Sequence, residues 1–400
     1  MNARAVRERA ERMLEIGLDD NLPHFRVDLD SLPAAVDLVV KLTRQRYPSL
    51  DMPFHSRWRH FVFGGKNRWG DIDQATAWPD QSSRARAAFD LAIVSVLLDA
   101  GAGPQWRYRD PDTGQQIGRS EGLGLASLSM FAGGAFSSDR NSPLQADGQR
   151  LAQISQADIG RGLQVAPANP LVGIAGRADL LKSLGALVTA RPDIFARNDV
   201  ARPGGFFDHL MTLANDGAIS APTVLAELLR HFGPIWPSRL TLGGISLGDC
   251  WRHAAIARPD ATNGLVPLHK LSQWLTYSLI EPLQWAGLAV TDIDGLTGLA
   301  EYRNGGLFVD TGVLAFRHSA DAVEEHEIAS PLVVEWRALT VALLDKLAEA
   351  MRRQLGMNET KLPLAKVLEG GTWEAGRVIA RQLRSDGSPP VKIISDGTVF

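Results

Sequence analysis

The sequence predicts a mainly α, helical protein with a few short β-hairpins. Apolar residues recur at three- and four-residue steps over long stretches, several of those stretches open or close at proline or glycine, and period-two runs are few. Ala10, Met13, Leu14 and Leu18 keep the helical step and mark an amphipathic N-terminal helix. A second helix is expected over residues 83–100, stopping at Gly101-Ala102-Gly103. Others are expected over 177–190 (closed by Pro192), 222–232 and 267–287. The longest runs from Pro331 to Leu355, with proline where a first helical turn tolerates it. One hairpin is expected where residues 105–109 meet the turn-rich Asp110-Pro111-Asp112-Thr113-Gly114, and a second over 306–317 around Asp310-Thr311-Gly312. The ending, residues 391–400, closes on Val-Phe and is expected to dock against the body.

With 400 residues, 45% hydrophobic and 22% charged, the chain has the composition of a globular protein, not a disordered one. It reads as a single helical domain, or as two closely packed lobes, residues 1–118 and 119–400, divided by the loop-rich stretch 101–119. A net charge of -3 gives no electrostatic argument for nucleic acid or an anionic membrane. Cys250 is the single cysteine, so no intramolecular disulfide can form and a reducing, cytoplasmic setting is expected. The apolar run 91–98 is far shorter than the ~20 residues of a membrane span. No phosphate loop, His-Glu-x-x-His or Gly-x-Ser-x-Gly motif occurs, and Gly122-Leu123-Gly124 lacks the third glycine of a dinucleotide fingerprint. The nine histidines are scattered, so neither a metal nor a cofactor is expected; Cys250 near His253 reads as a buried thiol before a nucleophile.

Four stretches concentrate aromatic and ionisable residues. Ser56-Arg57-Trp58-Arg59-His60-Phe61 offers apolar walls with Arg57 and His60 as anion or substrate contacts, or simply caps local carbonyls. In residues 267–281, Lys270, Gln273, Trp274, Tyr277 and Glu281 fall on one helical stripe opposite Leu268, Leu271, Leu275 and Leu279. That stripe suits a pocket wall, or a surface network with Trp274 half-buried. In residues 296–312, Glu301 and Asp310 flank Tyr302-Arg303-Asn304-Gly305-Gly306. Two carboxylates are what cleavage of a glycosidic bond requires, one to activate water or stabilise an oxocarbenium-like sugar and one to bind or protonate. The plainer reading is a turn in which Asp310 caps and Glu301 pairs with Arg303. Glu335-Trp336-Arg337 opens the long helix with its two charges pointing to different sides.

These motifs, Ser-Arg-Trp-Arg-His-Phe at 56–61, Pro-Leu-His-Lys-Leu-Ser-Gln-Trp-Leu at 267–275, Leu-Thr-Gly-Leu-Ala-Glu-Tyr-Arg-Asn-Gly-Gly at 296–306 and the final Ser-Asp-Gly-Thr-Val-Phe, resemble the uracil-catabolism protein-four family over nearly the whole chain. The resemblance implies a place in a route that first makes uracil a nucleotide, then opens the ring and releases urea from a ribosylurea-type intermediate. Residues 296–303 are also similar to the Leu-Thr-x-Phe-Ala-Asp-Tyr-Arg motif of queuosine salvage proteins, and Lys270 and Gln273 match their Lys-x-x-Gln helix. That likeness implies a DNA-glycosylase-like fold and hydrolysis of an N-glycosidic bond. The departures are Glu301 for Asp and Asn304-Gly305-Gly306 for Val-Pro-Gln, which put the carboxylate's geometry in question.

The expectation is therefore an N-glycosidase acting on ribosylurea or its 5′-phosphate. Glu301 and Asp310 are the expected catalytic carboxylates; Tyr302 and Trp274 wall the substrate; Lys270, Arg303 and Arg57 hold a phosphate; Gln273 bonds a urea amide; His269 and His60 complete the contacts. A metal-dependent hydrolase of the opened pyrimidine ring, using His60, His269 and a carboxylate, and a non-catalytic partner of other uracil-catabolism enzymes stay open beside it.

Overall fold

A computed structural model of the chain describes residues 1–197, 199–236 and 240–394. The architecture is mainly α, with strands of two or three residues paired in twos. Local signals in the sequence explain the helices. Asn2 caps Ala3–Leu18, whose Ala10, Met13 and Leu14 are buried, while Leu18 is 48% exposed and leaves the stripe. Asp80 caps Gln81–Leu97, an almost wholly buried helix that stops three residues short of the expected end. Ile174–Ala190, Ala221–Phe232 and Pro331–Leu355 fall close to their expected spans; the last is capped by Ser330 and ended by Gly356 in the left-handed region. The helix expected from Pro267 begins only at Lys270, because Leu265–Pro267 is a strand paired with Cys250–Arg252.

Tyr108–Arg109 and Gln116–Ile117 form the first hairpin around the Asp110–Gly114 turn. The second expected hairpin does not form. Tyr302–Asp310 is a helix, and Leu314–Phe316 pairs instead with Phe25–Val27, nearly 300 residues earlier. The two glycines that suggested a turn serve packing: a Cβ on Gly305 would lie 2.6 Å from the Trp336 ring. The tail docks as far as it is described: Val391 is buried and Lys392–Ile394 pairs in parallel with Glu325–Glu327, while residues 395–400 lie outside the described residues. Among the described residues, no helix is long and apolar enough to cross a membrane.

One hydrophobic cluster runs from Ala3 to Val391, and the Pro331–Leu355 helix lies in it along most of its length. Arg337, only 1% exposed, reaches from this helix to Asp249 through two parallel hydrogen bonds of 2.8 Å each. Asp249 in turn accepts from the Lys270 backbone N–H (2.9 Å), and the Arg337 Nε–H donates to the Ala300 carbonyl (3.2 Å). The clamp thus fixes the first residue of one helix and the residue before Glu301 together. Glu335, two residues earlier, faces elsewhere and accepts from the Phe25 N–H at 2.7 Å.

Burial works against the Asp249 charge, but the Arg337 guanidinium overrides it and holds the carboxyl at about 2. The folded value lies below the ordinary carboxylate range, so the stability Asp249 contributes is full above about pH 4 and drains as pH falls toward 2. Asp249→Ala, which strands the buried guanidinium, is expected to cost about 3–5 kcal/mol in urea denaturation. A loss under about 1 kcal/mol would deny the clamp this role.

Candidate active site

Four segments enclose a cavity of about 440 Å³: residues 99–104, the first turn of the Lys270–Trp285 helix, residues 299–303 and residues 386–393. The first is held by Arg177, whose buried guanidinium donates to the carbonyls of Leu98 (2.9 Å), Ala100 (2.6 Å) and Gly101 (3.2 Å). Burial pushes Arg177 down to about 10. The last is tied down by Arg303 Nη1, which donates to the Gly387 carbonyl at 2.9 Å.

Lys270 and Trp274, four residues apart, share a helix face and both line the cavity. The Lys270 ammonium stands 5.7 Å from the Trp274 ring centroid and the Arg57 guanidinium 5.5 Å from it. Burial lowers Lys270, with Glu301 and then Asp99 opposing it, so the ammonium acts on both carboxylates. Glu301 lies at the N-terminus of the Tyr302–Asp310 helix, accepting from the backbone N–H groups of Arg303 and Asn304. It is 7% exposed; burial raises it, against those two N–H donors and Lys270. Tyr302 and Arg303 complete this wall.

Behind the Trp274 ring lies fully buried Arg57. It meets Asp99 at 3.0 Å, donates to Ser95 Oγ at 2.6 Å, and stands 3.0 Å from His60 Nδ1. Arginine has only donors, so Nδ1 accepts and the His60 proton resides on Nε2. Burial, and then Arg57, puts His60 well below the ordinary imidazole range. Burial raises Asp99, with Arg57 and Lys270 opposing.

The structure therefore brings together Glu301, Lys270, Trp274, Tyr302, Arg303 and His60 at the cavity, with Arg57 immediately behind. It does not bring Asp310, which ends the helix that Glu301 begins and is clamped by both terminal nitrogens of Arg384. The plainer reading of that turn is reversed, since Glu301 caps and Asp310 pairs. Gln273 is turned away and bonds Thr297 through its N–H and Oγ1, and Tyr277 donates to the Thr297 carbonyl at 3.0 Å. Glu281 accepts from Ser56 and Arg59, so the stripe divides among three surroundings. His269, in the left-handed region beside Asp249, does not line the cavity; burial lowers it to about 4. Sequence reasoning missed Asp99, although a carboxylate between the apolar run 91–98 and a Gly-Ala-Gly turn is out of place in a core. It also missed Arg119, His55 and residues 386–391.

A match to a family model described as a protein of unknown function (DUF1688) spans residues 1–400. The chain belongs to the DUF1688 family. Among curated relatives of this DUF1688 chain, "Protein urg3" of Schizosaccharomyces pombe is 39% identical over 405 residues, covering 99% of this chain and 96% of the relative. "Uracil catabolism protein 4" of Lachancea kluyveri is 35% identical over 409 residues, covering 94% and 92%.

Neither of the two other chemistries weighed from the sequence finds its geometry in this DUF1688 protein. Cys250 is buried and its thiol is pushed up to about 12, mainly by burial. His60 and His269 do not share the cavity. Among the described residues, the His and Glu side chains that converge at metal-ligand spacing are His209, Glu227 and His231, none of which lines it.

The neutral His60 is checked by ¹⁵N NMR on imidazole-labelled protein. Its Nδ1 is expected to keep an acceptor-type shift through roughly pH 6–7, where a free imidazole titrates. A midpoint inside that window would contradict the Arg57 assignment.

Proposed function

We propose that the protein is an N-glycosidase of uracil catabolism that hydrolyses ribosylurea or its 5′-phosphate to urea and the sugar. The observation that carries the reading is a buried carboxylate, Glu301, locked by two backbone N–H groups in a cavity of small-molecule size with an aromatic wall. The names of the two relatives supply the metabolic setting, and the likeness of residues 296–303 to an N-glycosidase motif supplies the reaction class.

In this mechanism the C1′–N bond breaks with its electron pair going to the urea nitrogen, leaving positive charge on the ring. The Glu301 carboxylate stabilises that charge and orients water toward C1′. Water's oxygen bonds C1′; one of its protons ends on the urea nitrogen and the other stays on the anomeric hydroxyl. Asp99 takes the place expected for Asp310 as the second carboxylate. With the His60 Nε2–H it supplies polar contacts to the departing urea. The Lys270 ammonium acts on both carboxylates and favours their ionised forms against burial. Trp274 and Tyr302 exclude water from the sugar faces.

Incubation with ribosylurea and with its 5′-phosphate, followed by urea assay and anomeric-proton NMR, is expected to show release from one of them. Glu301→Gln should lower kcat by about 10²–10⁴ with substrate still bound. Absence of release from both substrates, in protein shown folded by circular dichroism, overturns the activity. Unchanged kcat in Glu301→Gln removes that residue from the role.

A further inference from the structure

The cavity mouth carries positive charge that the protein itself does not answer. Arg119 lines both the cavity and an adjoining cleft of about 420 Å³, as His60 does, and so stands between the two. Its side chain is half-buried, yet it makes no hydrogen bond and no ion pair among the described residues. Its five guanidinium N–H groups have no protein acceptor and are left to water in a half-buried place, where an anion can take them. Burial, then the like charges of Arg303 and Arg377, lowers Arg119; Tyr302 opposes them and Arg381 adds to them. Of these neighbours Arg377 is answered, by Glu121 at 2.9 Å and Glu374 at 3.6 Å. Arg303 is nine-tenths buried, lines the same cavity and leaves its Nε–H unpaired. Arg119 is also held at φ +59°, a left-handed conformation unusual for a residue other than glycine, asparagine or aspartate. A strained, unpaired cation facing three more is an arrangement that a multiply charged anion completes.

We propose that this mouth is a phosphate-monoester subsite, with Arg119 as the principal ligand and Arg303 and Arg381 supporting it. Arg119, Arg303 and Glu301 line one cavity, so a small molecule whose phosphate is held here can present its other end to that carboxylate. The assignment rests on the proposed function only in taking the molecule to be a sugar phosphate. It selects the 5′-phosphate over the free ribosyl compound.

Direct binding, read by calorimetry without turnover, separates this from the catalytic reading. Wild-type protein is expected to bind ribose 5-phosphate at least about ten-fold more tightly than ribose, the size of one charge-assisted hydrogen bond. Inorganic phosphate should compete with it, and the preference should shrink as salt rises. Arg119→Gly, which removes the side chain and relieves the backbone, should keep the thermal midpoint or raise it while abolishing the preference; Arg119→Lys should retain part of it. Equal affinity for ribose and ribose 5-phosphate in the wild type overturns the subsite, as does an undiminished preference in a folded Arg119→Gly variant. Failure of urea release with the preference intact would fall on the glycosidase reading alone.

Discussion

The pairing of Arg337 with Asp249 is the interaction on which the cavity depends. A guanidinium inside a hydrophobic core is unfavourable unless each donor is aimed at an acceptor, and here the acceptors belong to the elements that must be brought together. One carboxylate holds the arginine from one side and the first amide of the Lys270–Trp285 helix from the other. The Nε–H takes the carbonyl of Ala300. Lys270 and Glu301, on separate helices, are thereby set against one another by a pair that grips the backbone beside each. Apolar packing alone would bury the same area with less definition, because it is nearly indifferent to small slides of one helix on another.

The same principle governs the charges inside the cavity. Asp99, Glu301, Lys270 and Arg57 are all pushed by burial toward their neutral forms, and each is opposed by a neighbour of the other sign or by backbone dipoles. None is charged on its own account. A group whose ionisation depends on its neighbours responds when a ligand's charge enters, which is how a small site makes its acids and bases conditional on occupancy.

Where local chemistry decides, the sequence was legible. Ser330, Pro331 and Gly356 bound the longest helix residue by residue, and the Asp110–Gly114 turn placed its hairpin. Glu301, Lys270, Trp274 and Tyr302 could be picked out because charge and aromatic rings together are uncommon on a buried face. Tertiary context decided the rest. Gly305 and Gly306 look like a turn until Trp336 is seen pressing on the first of them. Asp310 seemed as good a carboxylate as Glu301, yet the two lie at opposite ends of one helix and Arg384, 74 positions further on, claims it. Asp99 stood out only as a charge beside an apolar run and Arg119 not at all, and their surroundings come from Arg57, Lys270, Arg303 and Arg381, which no spacing rule links to them.

The wall formed by residues 386–393 is held in place from far along the chain. That segment is fastened by Arg303 to Gly387 and by the parallel pairing of Lys392–Ile394 with Glu325–Glu327, contacts that span 60 to 90 positions. The cavity has this side only while those long-range pairings hold. Mass action then runs both ways: a molecule that binds against the wall also tightens the pairings that place it.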